Sequence, residues 1–257
     1  MISIEEIKEP ISADFQLFEA KFRASFQTDN ALLAKINRYI LHGNGKNLRP
    51  IITMLSARLF GECNDASLES AVSLELLHTA SLIHDDIVDD TMERRGRPSI
   101  NSQWNNKIAV LVGDFLLSKS LSHAAKTENL EIMKLIADIG INLSDGELLQ
   151  MSKENRADTS EIDYLTVIRK KTALLFASCA KMGALSVGAE AAQAKKMGNF
   201  GEYMGICFQI KDDIFDYSEN IKIGKPTGND IREGKITLPL IFALNNSVSE
   251  KKNEIAN

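Results

Sequence analysis

Leu130-Glu-Ile-Met-Lys-Leu-Ile-Ala-Asp-Ile-Gly-Ile-Asn-Leu143 lies inside a stretch, 99–225, that contains no proline. Its apolar residues Leu130, Met133, Leu135, Ile136, Ile139 and Leu143 recur at threes and fours, the repeat of one helix face, as do Tyr164, Ile168, Leu174 and Leu175 further on. The prolines are Pro10, Pro50, Pro98, Pro226 and Pro239, so long uninterrupted helices can occupy the interval between the third and the fourth. No alternating strand pattern competes. Working outward, Ser3 with Glu6 and Thr159 with Asp163 open two helices, and Pro50 fits the first turn of another. The pattern predicts helices near 2–26, 29–41, 49–59, 66–90, 99–105, 108–126, 129–153, 160–186, 192–218 and 235–246. No Gly/Ser-rich linker or composition shift divides the chain, so the expectation is a single all-α domain over 1–257, a bundle of about ten helices around a central cleft. The segment from Tyr217 to Lys235 carries Gly224, Pro226, Gly228 and Gly234 and is a candidate functional loop.

The 257 residues, 44% hydrophobic and 25% charged, give enough chain for a sizeable core. Thirty basic against 35 acidic side chains leave a formal charge of −5 with no basic stripe, which argues against a nucleic-acid partner. Cys63, Cys179 and Cys207 are odd in number, widely spaced and set among apolar residues, as buried thiols in a reducing compartment would be. The N-terminus is acidic where a secretory or transit peptide would be basic and apolar. The apolar runs 108–117 and 172–179 are too short to span a bilayer. These features predict a cytoplasmic protein without a transmembrane segment.

Asp85-Asp86-Ile87-Val88-Asp89-Asp90 and Asp212-Asp213-Ile214-Phe215-Asp216 both contain Asp-Asp-x-x-Asp. Sixteen aspartates in 257 residues supply about 0.06 such patterns by chance, so two are not accidental. A solvated helix face is the bland alternative, and like charges at i,i+4 cost an exposed helix only about 0.2–0.5 kcal/mol. Position argues against it. Both clusters fall in the last turns of long helices, where the negative end of the helix dipole disfavours each carboxylate by about 0.3–1 kcal/mol. Two carboxylates about 5 Å apart repel by about 3 kcal/mol at an effective dielectric near 20, a repulsion that a divalent cation reverses. Oxygen-only ligands point to Mg²⁺, which keeps waters and shares its other positions with substrate phosphates. Asp85 and Asp89 share a helix face, as do Asp212 and Asp216, and helices running side by side would face the two clusters across a cleft.

Gly45-Lys46-Asn47-Leu48-Arg49-Pro50 puts two cations at a loop-to-helix junction, and Arg94-Arg95-Gly96-Arg97 follows the first acidic cluster, suited to phosphate. Alone, each would be read as solvated surface. Beside paired Mg²⁺ sites they read as anion ligands.

With these residues in view, the chain resembles the all-trans isoprenyl (polyprenyl) diphosphate synthases. The resemblance rests on GKNLRP at 45–50, HDDIVDDTMERRGRPS at 84–99, GELLQ at 146–150, RKKTALLF at 169–176, QIKDDIFD at 209–216 and GKPTGNDIREGKITLP at 224–239, in family order. Asn47 stands where the family more often has Lys or Arg, and the chain stops before the family's usual last helices. The resemblance implies the isoprenoid synthase fold, a homodimer, and head-to-tail condensation of isopentenyl diphosphate with an allylic diphosphate, farnesyl or geranyl, to a long polyprenyl diphosphate for isoprenoid and quinone side chains. It implies a long-chain enzyme such as an octaprenyl diphosphate synthase, with a shorter-chain synthase as the alternative. A terpene cyclase is disfavoured because its second site has an Asn/Asp-Ser/Thr-Glu pattern, and a non-catalytic regulatory subunit because both acidic motifs are present.

By matched position, Asp85, Asp89, Asp212 and Asp216 would hold Mg²⁺ with Asp86 and Asp213 assisting. Arg94, Lys171, Lys225 and Lys235 would bind the allylic diphosphate, and Lys46, Arg49, His78 and Arg95 isopentenyl diphosphate. On residue type alone His78 is a core histidine, Thr172 a mid-helix threonine bonded to its own i−4 carbonyl, and Gln209 a surface glutamine. Matched position instead puts Thr172 and the Gln209 side-chain oxygen beside the carbon where positive charge develops. GELLQ receives no chemical role. The resemblance also implies that Leu77, Ala80 and Ser81 line the product path below Asp85, small side chains at Ala80 and Ser81 leaving it open.

Overall fold

Capping decides where the helices begin. The computed structural model describes residues 3–43, 45–94, 96–153, 158–217 and 228–247, and among these the regular structure is helical apart from one minimal hairpin, all-α as the sequence indicates. The chain forms two compact units, Met1–Ala137 with Ser178–Gly198, and Asp138–Ala177 with Asn199–Asn257.

In the first unit α1 (Ile4–Lys8) opens on the expected capping box between Ser3 and Glu6. The single helix expected over 2–26 is broken there. Pro10 has no N–H to continue the ladder and its ring crowds the preceding turn, so a 3-10 turn (Glu9–Ile11) separates α1 from α2 (Ser12–Ser25). Helices α3 (Ala31–Leu41), α4 (Leu48–Arg58) and α5 (Asp65–Val88) follow, the last capped reciprocally by Asn64 and Ser67. From Ser67 to Leu77 every residue of α5 is buried, which makes it the central helix of this unit.

After α6 (Ile100–Gln103), α7 (Asn106–Lys126) packs antiparallel to α5, as three polar pairs along the seam show. Glu69 meets His123, Ser73 and Ser120 exchange hydroxyl-to-carbonyl bonds of 2.9 and 2.8 Å, and His84 Nε2 lies 3.3 Å from Val110 O. Gly113 lets the helices close at the acidic end, since a Cβ there would lie 2.1 Å from His84 Nε2. Among the described residues α7 alone is long and apolar enough to cross a membrane. Its buried histidine and serine, hydrogen-bonded to α5, are the marks of a packed core helix.

Two strands that hydrophobic patterning did not reveal, β1 (Glu93–Arg94) and β2 (Arg97–Pro98), pair antiparallel. Gly96, at φ 72°, supplies the turn.

The second unit contains the C-terminal two thirds of α8 (Leu130–Lys153), then α9 (Glu161–Ile168), a π-helical turn (Arg169–Ala173), the start of α10 (Leu174–Ser186), most of α11 (Ala191–Asp216), α12 (Asn229–Arg232) and α13 (Leu238–Asn246). Ser160, rather than Thr159, caps α9: its hydroxyl accepts from Asp163 N while the Asp163 carboxylate accepts from Ser160 N. The continuous helix expected over 160–186 is interrupted by the π turn, a feature that often marks functional positions. Helix α11 lies directly against this turn at Gly205, where a Cβ would be 2.6 Å from Ala173 Cα. Tyr164, Ile168 and Ile241 form the local core. The last helix starts at Leu238 instead of 235, because Thr237 is its extended N-cap and Pro239 occupies its first turn. Helix α12 lies within the stretch expected to be irregular; residues 218–227, with Lys225, fall outside the described residues, as does Arg95.

Candidate functional site

The first acidic cluster ends α5. Asp85 is half-buried, Asp89 is exposed at the C-cap with its N–H bonded to Asp85 O at 2.8 Å, and Asp86 is buried. Asp86 turns away from its neighbours: its Oδ1 accepts both Arg94 Nε at 2.7 Å and Arg94 Nη2 at 2.6 Å, while its carbonyl accepts from Thr91 N and Asn101 Nδ2. It anchors the basic hairpin. Tyr39, from α3, braces the far strand, donating its hydroxyl to Pro98 O at 2.7 Å and stacking its ring 4.1 Å from the Arg97 guanidinium.

At the other basic segment Lys46 is exposed and Arg49 half-buried in the first turn of α4. Asn47 has φ 49° and ψ 40°, a left-handed conformation that asparagine tolerates better than Lys or Arg. His78 is half-buried and its carbonyl accepts the Ser81 hydroxyl at 2.9 Å. Leu77 and Ala80 are buried. Ala80 belongs to the cluster containing Leu76, Ile83 and Leu116, in the α5–α7 seam, whereas Ser81 is nearer the Asp85 face by helical phase. Of the three thiols expected to be buried, Cys179 is, Cys63 is half-buried and Cys207 is exposed on α11; burial pushes Cys179 up to about 12 and Cys63 up to about 11.

The second unit holds a cavity of about 210 Å³ between the end of α8, α9, the π turn and α11. GELLQ borders it, and here that segment acquires the role the sequence did not reveal. Gly146 brings α8 so close to the π turn that a Cβ would lie 2.8 Å from Lys170 Cβ and 3.0 Å from Lys171 Cγ. Glu147 then pairs with Lys171, and Gln150 Oε1 accepts from Lys171 Nζ at 2.9 Å. Lys170 pairs with Asp145.

Beside Lys171, Thr172 donates to Gln209 Oε1 at 2.7 Å rather than to its own i−4 carbonyl. The Gln209 oxygen therefore has a first partner, and its Nε2 donates to Asp213 Oδ1 at 2.7 Å. Tyr164 donates to Asp213 Oδ2 at 2.6 Å. Burial raises the Asp213 carboxyl above its ordinary range, opposed by these two hydrogen bonds, and burial first, then the Asp213 bond, raises the Tyr164 phenol. Asp212 is exposed and Asp216 half-buried. Asp216 ties down the start of α12: its carbonyl accepts Gly228 N at 2.8 Å and its carboxylate accepts Asp230 N at 3.0 Å. Burial and the nearby Asp216 and Asp213 charges hold Asp230 up at about 7. Lys235, on the cavity wall, pairs with Glu233 at 2.6 Å.

Tyr164, Glu147, Gln150 and Asp230 are thus site residues that sequence reasoning did not assign. Tyr164 sat within an apolar repeat, and the other three lay in quoted family blocks without an individual role. Among the described residues no three acidic, histidine or cysteine side chains converge as a metal cage. The two outward carboxylates of each motif instead suit a hard cation that takes its remaining ligands from water and phosphate.

Residues 30–257 match the polyprenyl synthetase family model. The chain is 39% identical over 245 residues to the octaprenyl diphosphate synthase of Haemophilus influenzae, covering 95% of this chain and 74% of that protein. It superposes with a TM-score of 0.89 on a polyprenyl synthase from Caulobacter crescentus complexed with calcium and isoprenyl diphosphate, at 30% identity over 99% of this chain and 83% of that one. A geranylgeranyl pyrophosphate synthase from Bacteroides thetaiotaomicron gives a TM-score of 0.81 at 46% identity, covering 97% and 77%.

Proposed function

Because the chain belongs to the polyprenyl synthetase family, we propose that it is a Mg²⁺-dependent prenyltransferase that condenses isopentenyl diphosphate with an allylic diphosphate, farnesyl or geranyl, to a long all-trans polyprenyl diphosphate. The pocket of the second unit carries this reading, for it combines a fixed cation, Lys171, with the neutral dipoles of Thr172 and Gln209. That pairing suits a substrate that is anionic at its head and becomes cationic at the adjoining carbon.

Asp85 with Asp89, and Asp212 with Asp216, are the residues that would hold Mg²⁺. The chemistry such an ion would supply there is neutralisation of diphosphate oxygens, which would make diphosphate a better leaving group. Lys171, held by Glu147 and Gln150, meets the allylic diphosphate at a fixed position, and Arg94, anchored on Asp86, together with Lys235 and Lys225 supplies further positive charge to it. Loss of diphosphate leaves an allylic cation, which the Thr172 and Gln209 oxygens favour without adding to it covalently. Lys46, Arg49, Arg95 and His78 bind isopentenyl diphosphate so that its double bond attacks that cation. Proximity replaces a bimolecular encounter, and the released pyrophosphate takes the proton that the new cation loses. Burial of Tyr164, Asp213 and Thr237 around the pocket limits the water that would quench the cation.

The long-chain product is supported by small side chains at Ala80 and Ser81 and by the octaprenyl relative; the 46% identity to a geranylgeranyl synthase favours a shorter product as the second reading. Incubation of the chain alone with farnesyl diphosphate, isopentenyl diphosphate and Mg²⁺, followed by sizing of the dephosphorylated products, separates the two. It also separates both from a cyclase, which needs no isopentenyl diphosphate, and from a regulatory subunit, which makes no product. Activity that survives complete Mg²⁺ removal by chelator would sink the metal assignment.

A further inference from the structure

Tyr164, Asp213, Gln209 and Thr172 form one continuous line of hydrogen bonds, and the chemistry of its members fixes its direction. The Asp213 carboxylate is 4% exposed and accepts one donor on each oxygen, the Tyr164 hydroxyl on Oδ2 and an N–H of Gln209 on Oδ1. A carboxylate can only accept, so Gln209 must turn its NH₂ toward Asp213 and its carbonyl oxygen away, to where the Thr172 hydroxyl meets it on the cavity wall. A reversed amide would set two oxygens against each other in a buried place and leave the NH₂ facing the pocket. The carbonyl oxygen has two lone pairs, and Thr172 uses one of them.

Tyr164 is the far anchor of this line. Its ring is buried in the core formed with Ile168 and Ile241, so the hydroxyl has a fixed position from which to hold Asp213. Remove that hydroxyl and Asp213 Oδ2 loses the donor that sets the rotation of the carboxylate, and Gln209 loses a fixed partner in turn.

We propose that Tyr164 is a positioning residue for prenyl transfer: by anchoring Asp213 it fixes the Gln209 amide with its negative end directed into the pocket, so that the pocket selects a cationic carbon over a neutral one. The inference rests on the prenyl-transfer reading and adds the device by which that site discriminates charge. It also assigns the middle aspartate of the second motif to orientation rather than to the metal shell.

The test uses two probes, a prenyl diphosphate analogue with an ammonium nitrogen in the first positions of the chain and its neutral carbon isostere. Their binding with Mg²⁺ is measured by calorimetry to the wild type, Tyr164→Phe, Gln209→Leu and the double variant. The wild type is expected to prefer the ammonium analogue by about tenfold or more, each single variant to lose most of that preference, and the double variant to lose no more than Gln209→Leu. In turnover, Tyr164→Phe should lower kcat by about tenfold while KM for both diphosphates and the Mg²⁺ concentration for half-activation stay within about twofold. A preference retained in Tyr164→Phe, additive losses in the double variant, or a Mg²⁺ requirement raised several-fold would each overturn the proposal, the last by making Asp213 part of the metal shell. Equal binding of both analogues by an active wild type overturns this inference alone, whereas a wild type that binds neither analogue and makes no product sinks the prenyl-transfer reading beneath it.

Discussion

Gly146→Ala should damage catalysis through a clash that can be sized from the structure. The added Cβ would sit 2.8 Å from Lys170 Cβ and 3.0 Å from Lys171 Cγ, where ordinary contact begins at 3.4 Å, so the π turn must retreat by several tenths of an ångström. These are atoms close to the backbone, with Lys171 N itself at 3.5 Å, so the strain cannot be relieved by swinging a side-chain tip. Overpacking of this kind costs about 1–3 kcal/mol, of which alanine's better helix propensity returns about 1 kcal/mol. The moving turn carries Lys171 and Thr172. Since a misplacement of about 1 Å can cost about a hundredfold in rate, a loss of about tenfold in kcat/KM is expected. Gly140→Ala is the internal control, because it lies on the same helix and its Cβ would meet nothing within 4 Å. It should keep full activity and gain about 0.5–1 kcal/mol, or about 2–4 °C in Tm per kcal/mol. Product formation and thermal unfolding by circular dichroism report both quantities. If Gly146→Ala matched Gly140→Ala in rate and Tm, the close approach of α8 would not position the lysine, and the role given to GELLQ would fall.

Asp85→Ala and Asp212→Ala should each abolish most turnover while leaving helicity intact and ligand-free Tm no lower, because each removes a charge from the unfavourable end of a helix dipole; a Tm drop of many degrees would mean a structural role. The Asp163 carboxyl is held down at about 2 by the Ser160 backbone N–H first, then by the Ser160 side chain and Lys153. A depressed acid contributes stability that is full above its ordinary value near 3.8 and fades as pH falls through about 2, so Asp163→Asn should begin acid unfolding at higher pH than the wild type in a circular-dichroism titration. Coincident curves would deny the cap its contribution. Ala80→Phe should shorten the product but also cost about 1–3 kcal/mol, since Ala80 lies in the α5–α7 seam; Ser81→Phe should shorten it with less loss of stability. Unchanged chain length in both active variants would remove the product path from this helix.

The periodic stretches, the Ser3 cap and the stops around residues 60 and 90 were legible because they depend on neighbours within one or two turns. The break at Pro10 is legible in principle, since a proline ten residues into a helix expected over 2–26 removes a ladder N–H. The π turn was not legible, because it arises where α8 and α11 both press on one segment through Gly146 and Gly205, which are more than twenty residues away on either side. The same limit applies to the site. Outward carboxylates and nearby cations show in a motif, but the partners that fix them do not. Tyr164 looked like one more apolar repeat residue, and only packing shows its hydroxyl on Asp213.

The two acidic motifs share a division of labour that explains why three aspartates recur at this spacing. At about 100° per residue, the first and last members are only about 40° apart on a helix, while the second lies about 100° from the first. Asp85 and Asp89, like Asp212 and Asp216, therefore present two carboxylates to one side, and Asp86 and Asp213 turn into the protein. Each buried member is paired, Asp86 with Arg94 and Asp213 with Tyr164 and Gln209. A buried carboxylate without such partners would cost several kcal/mol. With them it ties a separate element, the basic hairpin in one unit and the amide of Gln209 in the other, to the helix end that carries the outward pair. Substituting the middle aspartate by alanine would leave two outward carboxylates and take the partner from a half-buried guanidinium or amide. For that reason Asp86→Ala should lower thermal stability, where Asp85→Ala should not.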